Sequence, residues 1–131
     1  MTAPMRLGNV SVYVTDQERA LAFYRDLLGF NVRSDVAYAP GFRWLTVAPE
    51  GDSVQLVLVP AAARDGHASA ERIGGWSRVV FQTEDIDLAY RELVARGVPF
   101  DGEPEPTEWG GTQATFHDPD GNEFLLVQTG S

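Results

Sequence analysis

The sequence predicts an α+β fold built from two βαβββ modules, and three observations predict it. A β-rich segment recurs about 70 residues along, a helix of matching apolar spacing follows each copy, and a Pro-acidic-Gly turn precedes the last strand of each half. Asn9-Val-Ser-Val-Tyr-Val-Thr-Asp16 aligns with Arg78-Val-Val-Phe-Gln-Thr-Glu-Asp85, and Pro49-Glu-Gly-Asp-Ser-Val-Gln-Leu56 aligns with Pro119-Asp-Gly-Asn-Glu-Phe-Leu-Leu126.

Each first segment is alternating or β-branched and then meets an aspartate, so each reads as a strand running into a helix N-cap. Behind Asp16, residues Ala20, Phe23, Tyr24, Leu27 and Leu28 follow the spacing of a helix with one buried stripe, and Gly29 stops it. Behind Asp85 the same spacing returns at Ile86, Ala89, Tyr90, Leu93 and Val94, with Gly97 where a left-handed C-terminal cap is needed. Strands are expected at about 30–38 and 42–48, separated by Ala39-Pro-Gly41, and then at 54–59. Their counterparts are expected at about 98–100, 112–117 and 123–127, with residues 102–111 read as a loop. In each Pro-acidic-Gly turn, proline presets φ and glycine accepts a positive φ. Module one spans about 6–60 and module two about 76–129; residues 61–75, without periodicity, read as an exposed linker carrying His67. The two modules together are expected to form a single domain over residues 1–131.

A chain of 131 residues with 44% hydrophobic content is the size of one domain. No cysteine is present, which excludes disulfides, thiolate metal sites and a thiol nucleophile. Nineteen acidic against ten basic side chains give a net charge of -9, which disfavours nucleic acid because the phosphate backbone demands a cationic face. The acidity reads first as a solubility device and second as a field attracting a cationic ligand. No export signal or membrane-length apolar run is visible, so a cytoplasmic location is expected. Gly-rich phosphate loops followed by lysine, and Gly-x-Ser-x-Gly elbows, are absent, so phosphoryl and acyl transfer have no local support.

The duplicated pattern, with Ala20-Leu-Ala-Phe-Tyr-Arg-Asp-Leu-Leu-Gly-Phe30 and Asp118-Pro-Asp-Gly-Asn122, resembles the vicinal oxygen chelate superfamily: glyoxalase I, extradiol dioxygenases and the bleomycin-resistance proteins. The resemblance covers about residues 7–128 and implies curved mixed sheets. It also implies four metal-ligand positions, two at the start of the first strand of each half and two in the last strand of each half, normally His, Glu or Gln. Carried over, these fall on Asn9, Arg78, Gln55 and Leu125. A guanidinium stays cationic and offers no lone pair, leucine offers no donor, and two neutral amides hold a transition metal poorly. No metal or other cofactor is therefore expected. Glu123, two residues before the acidic position, lies on the same strand face one pleat away, so a displaced ligand stays open. Only His67 and His117 are present, too few for a site of two or three imidazoles.

Members lacking the ligands include resistance proteins that bind a cytotoxic natural product in a groove shared by two subunits. The resemblance thus implies a homodimer, with strands or modules exchanged in some members, whose partner is a bulky aromatic natural product such as a DNA-damaging antibiotic. Trp44, Trp76, Trp109, Tyr38 and Phe42 are the expected wall residues, and Asn9, Gln55 and Arg78 the polar contacts. If Leu45 and Val47 pack under the helix, Trp44 faces the other way, and Ser11 and Tyr13 share the face of Asn9. The alternative for each tryptophan is ordinary half-buried packing. No catalytic residue is assigned: His117 beside Asp118 resembles a base and its orienter, but a turn-starting aspartate more commonly accepts backbone N–H bonds. Two rival functions remain, an enzyme (lyase, isomerase or dioxygenase) with displaced metal ligands or with His117, and a protein–protein or regulatory module.

Overall fold

The computed structural model describes residues 3–40, 42–61 and 71–129, and the chain divides into two compact units, Met1–Glu71 and Arg72–Ser131. The first unit contains β1 (Asn9–Val14), α1 (Gln17–Leu21) continuing as a π-helical run Ala22–Leu27, β2 (Asn31–Ala39), β3 (Phe42–Ala48) and β4 (Gln55–Pro60). The second contains β5 (Gly75–Gln82), α2 (Ile86–Ala95), β6 (Glu105–Pro106), β7 (Thr112–His117) and β8 (Asn122–Gln128). Each unit folds as a four-stranded mixed sheet, in the orders β1-β4-β3-β2 and β5-β8-β7-β6. In both, the first strand lies parallel to the last and the remaining pairs are antiparallel. The α+β, two-module expectation is met.

Both helices begin as expected of their aspartates. Asp16 accepts hydrogen bonds from the backbone N–H of Glu18 (2.9 Å) and Arg19 (3.2 Å), and Asp85 accepts one from Leu88 (3.1 Å). Behind α1 the helix widens: the Leu28 N–H donates to Phe23 O, and the Phe30 N–H donates to Tyr24 O. The extra residue in the π turn rotates the positions after it. Ala20, Leu21, Phe23 and Tyr24 are buried, while Leu27 and Leu28 of the expected stripe, at the far end of the widened run, are only half-buried.

These side chains form the first core with Val12, Val14, Leu45, Val47, Leu56 and Leu58, all buried. Gln17 ties helix to sheet from inside this core. Its Nε2 donates to Arg43 O (2.7 Å) and Leu58 O (2.8 Å), and its Oε1 accepts from the Arg43 N–H (3.2 Å), so a buried amide is satisfied at each end.

The second core is aromatic. Phe81, Phe116 and Phe124 pack with centroids 5.5–6.0 Å apart, and Phe100 bridges from Phe116 (5.4 Å) to Tyr90 of α2 (4.9 Å). The strand expected at 98–100 shrinks to a single bridge, Phe100 with Phe116, because Pro99 supplies no N–H. The fourth strand is β6, inside the stretch read as a loop. It is only two residues long, Pro106 being one of them. The expected linker is described only at its ends: β5 already begins at Gly75, and His67 lies outside the described residues.

Candidate functional site

Two of the carried-over positions are neighbours in the backbone of the first unit. Asn9 and Gln55 are Cα partners in the parallel β1/β4 ladder, Asn9 exposed and Gln55 half-buried. Trp44 lies opposite Val36 and is 39% exposed, while its neighbours Leu45 and Val47 are fully buried. Two residues along, on the face of Trp44, Thr46 is 1% exposed, and its hydroxyl has no hydrogen-bond partner among the described residues. No feature of the sequence singles out this threonine. Phe42 lies in a different setting, an open groove it shares with Asp16, Gln17, Ala37, Arg43 and Pro60. The side chain of Tyr38 lies outside the described residues.

In the second unit Trp76 is 48% and Trp109 56% exposed. Trp76 is the Cα partner of Glu123 at the start of β8. Trp109 belongs to the turn before β7, closed by hydrogen bonds between Thr107 and Gly111 at 2.8–3.2 Å. Its ring lies against Gly111, which borders the other end of β8 at Gln128. Five residues of strand separate these points, ~17 Å. The two rings thus flank opposite ends of one strand.

Arg78 is exposed and, at φ 70°, is the one non-glycine residue with positive φ among the described residues. It sits in a register shift between Trp76 and Val80, so β5 carries a bulge where the resemblance puts a ligand. As a result Leu125 faces Val80 instead of Arg78.

The donor chemistry at the four carried-over positions does not fit a metal. One is a cation held in a strained backbone, one is aliphatic, and the paired Asn9 and Gln55 contribute neutral amides. No chemical step is derived through a metal there.

His117 and Asp118 do not form a pair. Asp118 is buried, and its carboxylate accepts from the N–H groups of Asp120 and Asn122 (both 2.9 Å) and from Asn122 Nδ2 (2.8 Å), closing the β7–β8 turn. His117 Nε2 instead lies 2.6 Å from Asp101 Oδ1. Asp101 follows the Phe100 bridge, and its proximity depends on a segment docking beside β7, which local sequence does not encode.

Residues 6–126 match the Glyoxalase/Bleomycin resistance protein/Dioxygenase superfamily, and the chain belongs to it. Among curated relatives, uncharacterized protein YetH of Bacillus subtilis is 40% identical, covering 94% of this chain and 98% of its own. A probable lactoylglutathione lyase of Synechocystis is 27% identical, covering 97% and 98%. Among solved structures, a superfamily member from Sphaerobacter thermophilus superposes with a TM-score of 0.86 at 37% identity, covering 95% and 98%. TnmS3, an antibiotic binding protein from Streptomyces sp. CB03234, superposes with a TM-score of 0.79 at 39% identity, covering 98% and 99%.

Proposed function

We propose that this chain is a metal-independent binding protein that sequesters a bulky aromatic natural product or antibiotic, acting as a homodimer. The observation that carries this reading is the 39% identity, over 98% of the chain, to an antibiotic binding protein. Three half-exposed tryptophans and the poor donor set at the family's ligand positions support it. Trp44, Trp76 and Trp109 offer flat apolar surface with little rotamer entropy to lose, and Asn9, Gln55 and Arg78 supply polar contacts. Phe42 and Tyr38 complete the proposed set. The net charge of -9 favours a cationic drug without being required for a neutral one.

The test is isothermal titration, with tryptophan fluorescence, against a panel of polycyclic aromatic antibiotics. Stoichiometric binding that shifts the emission, and weakens at least 10-fold in Trp44→Ala or Trp76→Ala, is the expected result. Silence across the whole panel overturns the reading. Light scattering tests the dimer separately. The similarity to a probable lactoylglutathione lyase favours a second reading, a lyase, for which formation of lactoylglutathione by the purified protein is the discriminating assay.

A further inference from the structure

The second unit carries a cluster that neither the family's ligand positions nor the proposed aromatic site uses. Asp101, His117 and Glu123 each offer one donor atom, and all three atoms lie within 4.8 Å of one another. We propose that this cluster is a binding site for a divalent transition-metal ion of the Zn2+, Co2+ or Ni2+ type.

The backbone prearranges the three positions. His117 and Glu123 are opposite partners in the β7/β8 ladder, the first pair after a turn that buried Asp118 closes with three hydrogen bonds. Opposite side chains in such a ladder start ~5 Å apart at Cβ and point to one side. Asp101 is brought beside them by two backbone hydrogen bonds, its own N–H to Thr115 O and the His117 N–H to Pro99 O, both 3.0 Å. None of the three side chains has to cross the sheet to reach the others.

The donor set is chemically apt. Zinc–nitrogen and zinc–oxygen bonds of ~2.0–2.2 Å place neighbouring ligand atoms roughly 3–3.5 Å apart, a spacing the cluster spans with small torsional changes. The 2.6 Å contact between His117 Nε2 and Asp101 Oδ1 sets a nitrogen and an oxygen donor side by side, and an ion bound there takes the lone pairs that this contact otherwise shares. Two carboxylates neutralise a divalent charge, while the imidazole selects borderline transition ions over Mg2+ and Ca2+, which prefer oxygen. His117 is part-exposed and Asp101 exposed, so an ion has an open path and keeps free coordination positions for water. The site needs one histidine, which removes the objection that the chain has too few. Glu123 lies one pleat before Leu125, the family's position, so this is a different site on the same strand face.

The experiment uses the full chain stripped of metal, titrated calorimetrically with Zn2+ and followed with Co2+ by its visible absorption. One ion per chain is expected, with a Co2+ band indicating bound nitrogen and oxygen donors. His117→Ala and Glu123→Gln each weaken binding at least 10-fold and abolish the band, Asp101→Asn weakens it less, and His67→Ala leaves both readouts unchanged. Melting temperatures of the metal-free variants verify folding. Absence of a stoichiometric site in the wild type, or retention of affinity in His117→Ala, overturns the proposal. Antibiotic titration in zinc-free buffer reads the aromatic site separately, so either idea can fail alone.

Discussion

The ring of Trp109 lies so close to Gly111 that a Cβ placed on the glycine would stand 2.0 Å from Trp109 Cζ3 and 2.2 Å from Cη2. On its other side the same Cβ would approach Gln128 O at 2.8 Å. Glycine here is a seat for the tryptophan. Gly111→Ala is expected to expel the ring, with a destabilisation of about 1–3 kcal/mol typical of overpacking. Red-shifted, more quenchable Trp109 emission and a lower urea midpoint are the measurements. An unchanged spectrum would show that the ring does not rest there in solution.

Thr46 presents a different situation, a buried polar atom with no hydrogen-bond partner among the described residues. A buried hydroxyl without a hydrogen bond forfeits its hydration, so Thr46→Val removes a penalty while keeping the branched shape. Stability should rise by about 1 kcal/mol in urea unfolding. If Thr46 bonds a ligand, the same variant should bind that ligand more weakly while folding better. A loss of stability would mean the hydroxyl is engaged in solution.

Arg78 holds a left-handed backbone that side chains adopt at a cost of about 1–3 kcal/mol. Glycine enters this region freely and β-branched residues scarcely at all. The stability order expected is therefore Arg78→Gly at or above the wild type and Arg78→Val below it by more than about 1 kcal/mol. Thermal melts of the pair would check the order, and equal stabilities would argue for a relaxed bulge.

Arg43 donates to Asp35 through Nε (3.0 Å) and Nη2 (2.8 Å), and to Glu18 through Nη1 (2.9 Å). Those bonds to Asp35, more than the charge attraction, hold its carboxyl below the usual range. The folded state therefore binds the Asp35 proton less readily than the unfolded chain. The stabilisation is complete above the unfolded value of about 4 and disappears as pH falls through the lower folded value. Because the pair is part-exposed, Asp35→Asn should cost under about 1 kcal/mol at pH 6, a gap that closes as acid is added. Urea unfolding at stepped pH tests this, and a gap that widens in acid would refute the assigned sign.

Periodicity and turn chemistry settled most of the architecture. Strands β3 and β7 are found where the turn signals and the match between the halves put them, and Asp16, Asp85 and Gly97 perform their capping roles because each acts within a few residues. The misplaced elements are those whose existence depends on distant partners. Residues 98–100 lost their strand to Pro99, keeping only the Phe100 bridge, while β6 gained one from pairing with β7. The widened helix after Leu21 was equally hidden, since the apolar stripe is compatible with either winding.

The sites divide along the same line. Sequence alone determined that Asn9, Gln55, Arg78 and Leu125 make a poor metal shell, because donor capacity belongs to residue type. Only the tertiary structure decided that Trp76 and Trp109 flank opposite ends of β8, that Arg78 sits in a bulge, and that Asp101 meets His117 and Glu123. The physical reason is that side-chain chemistry is carried by each residue, whereas register, bulges and cross-strand neighbours arise from hydrogen bonds between segments far apart in the chain.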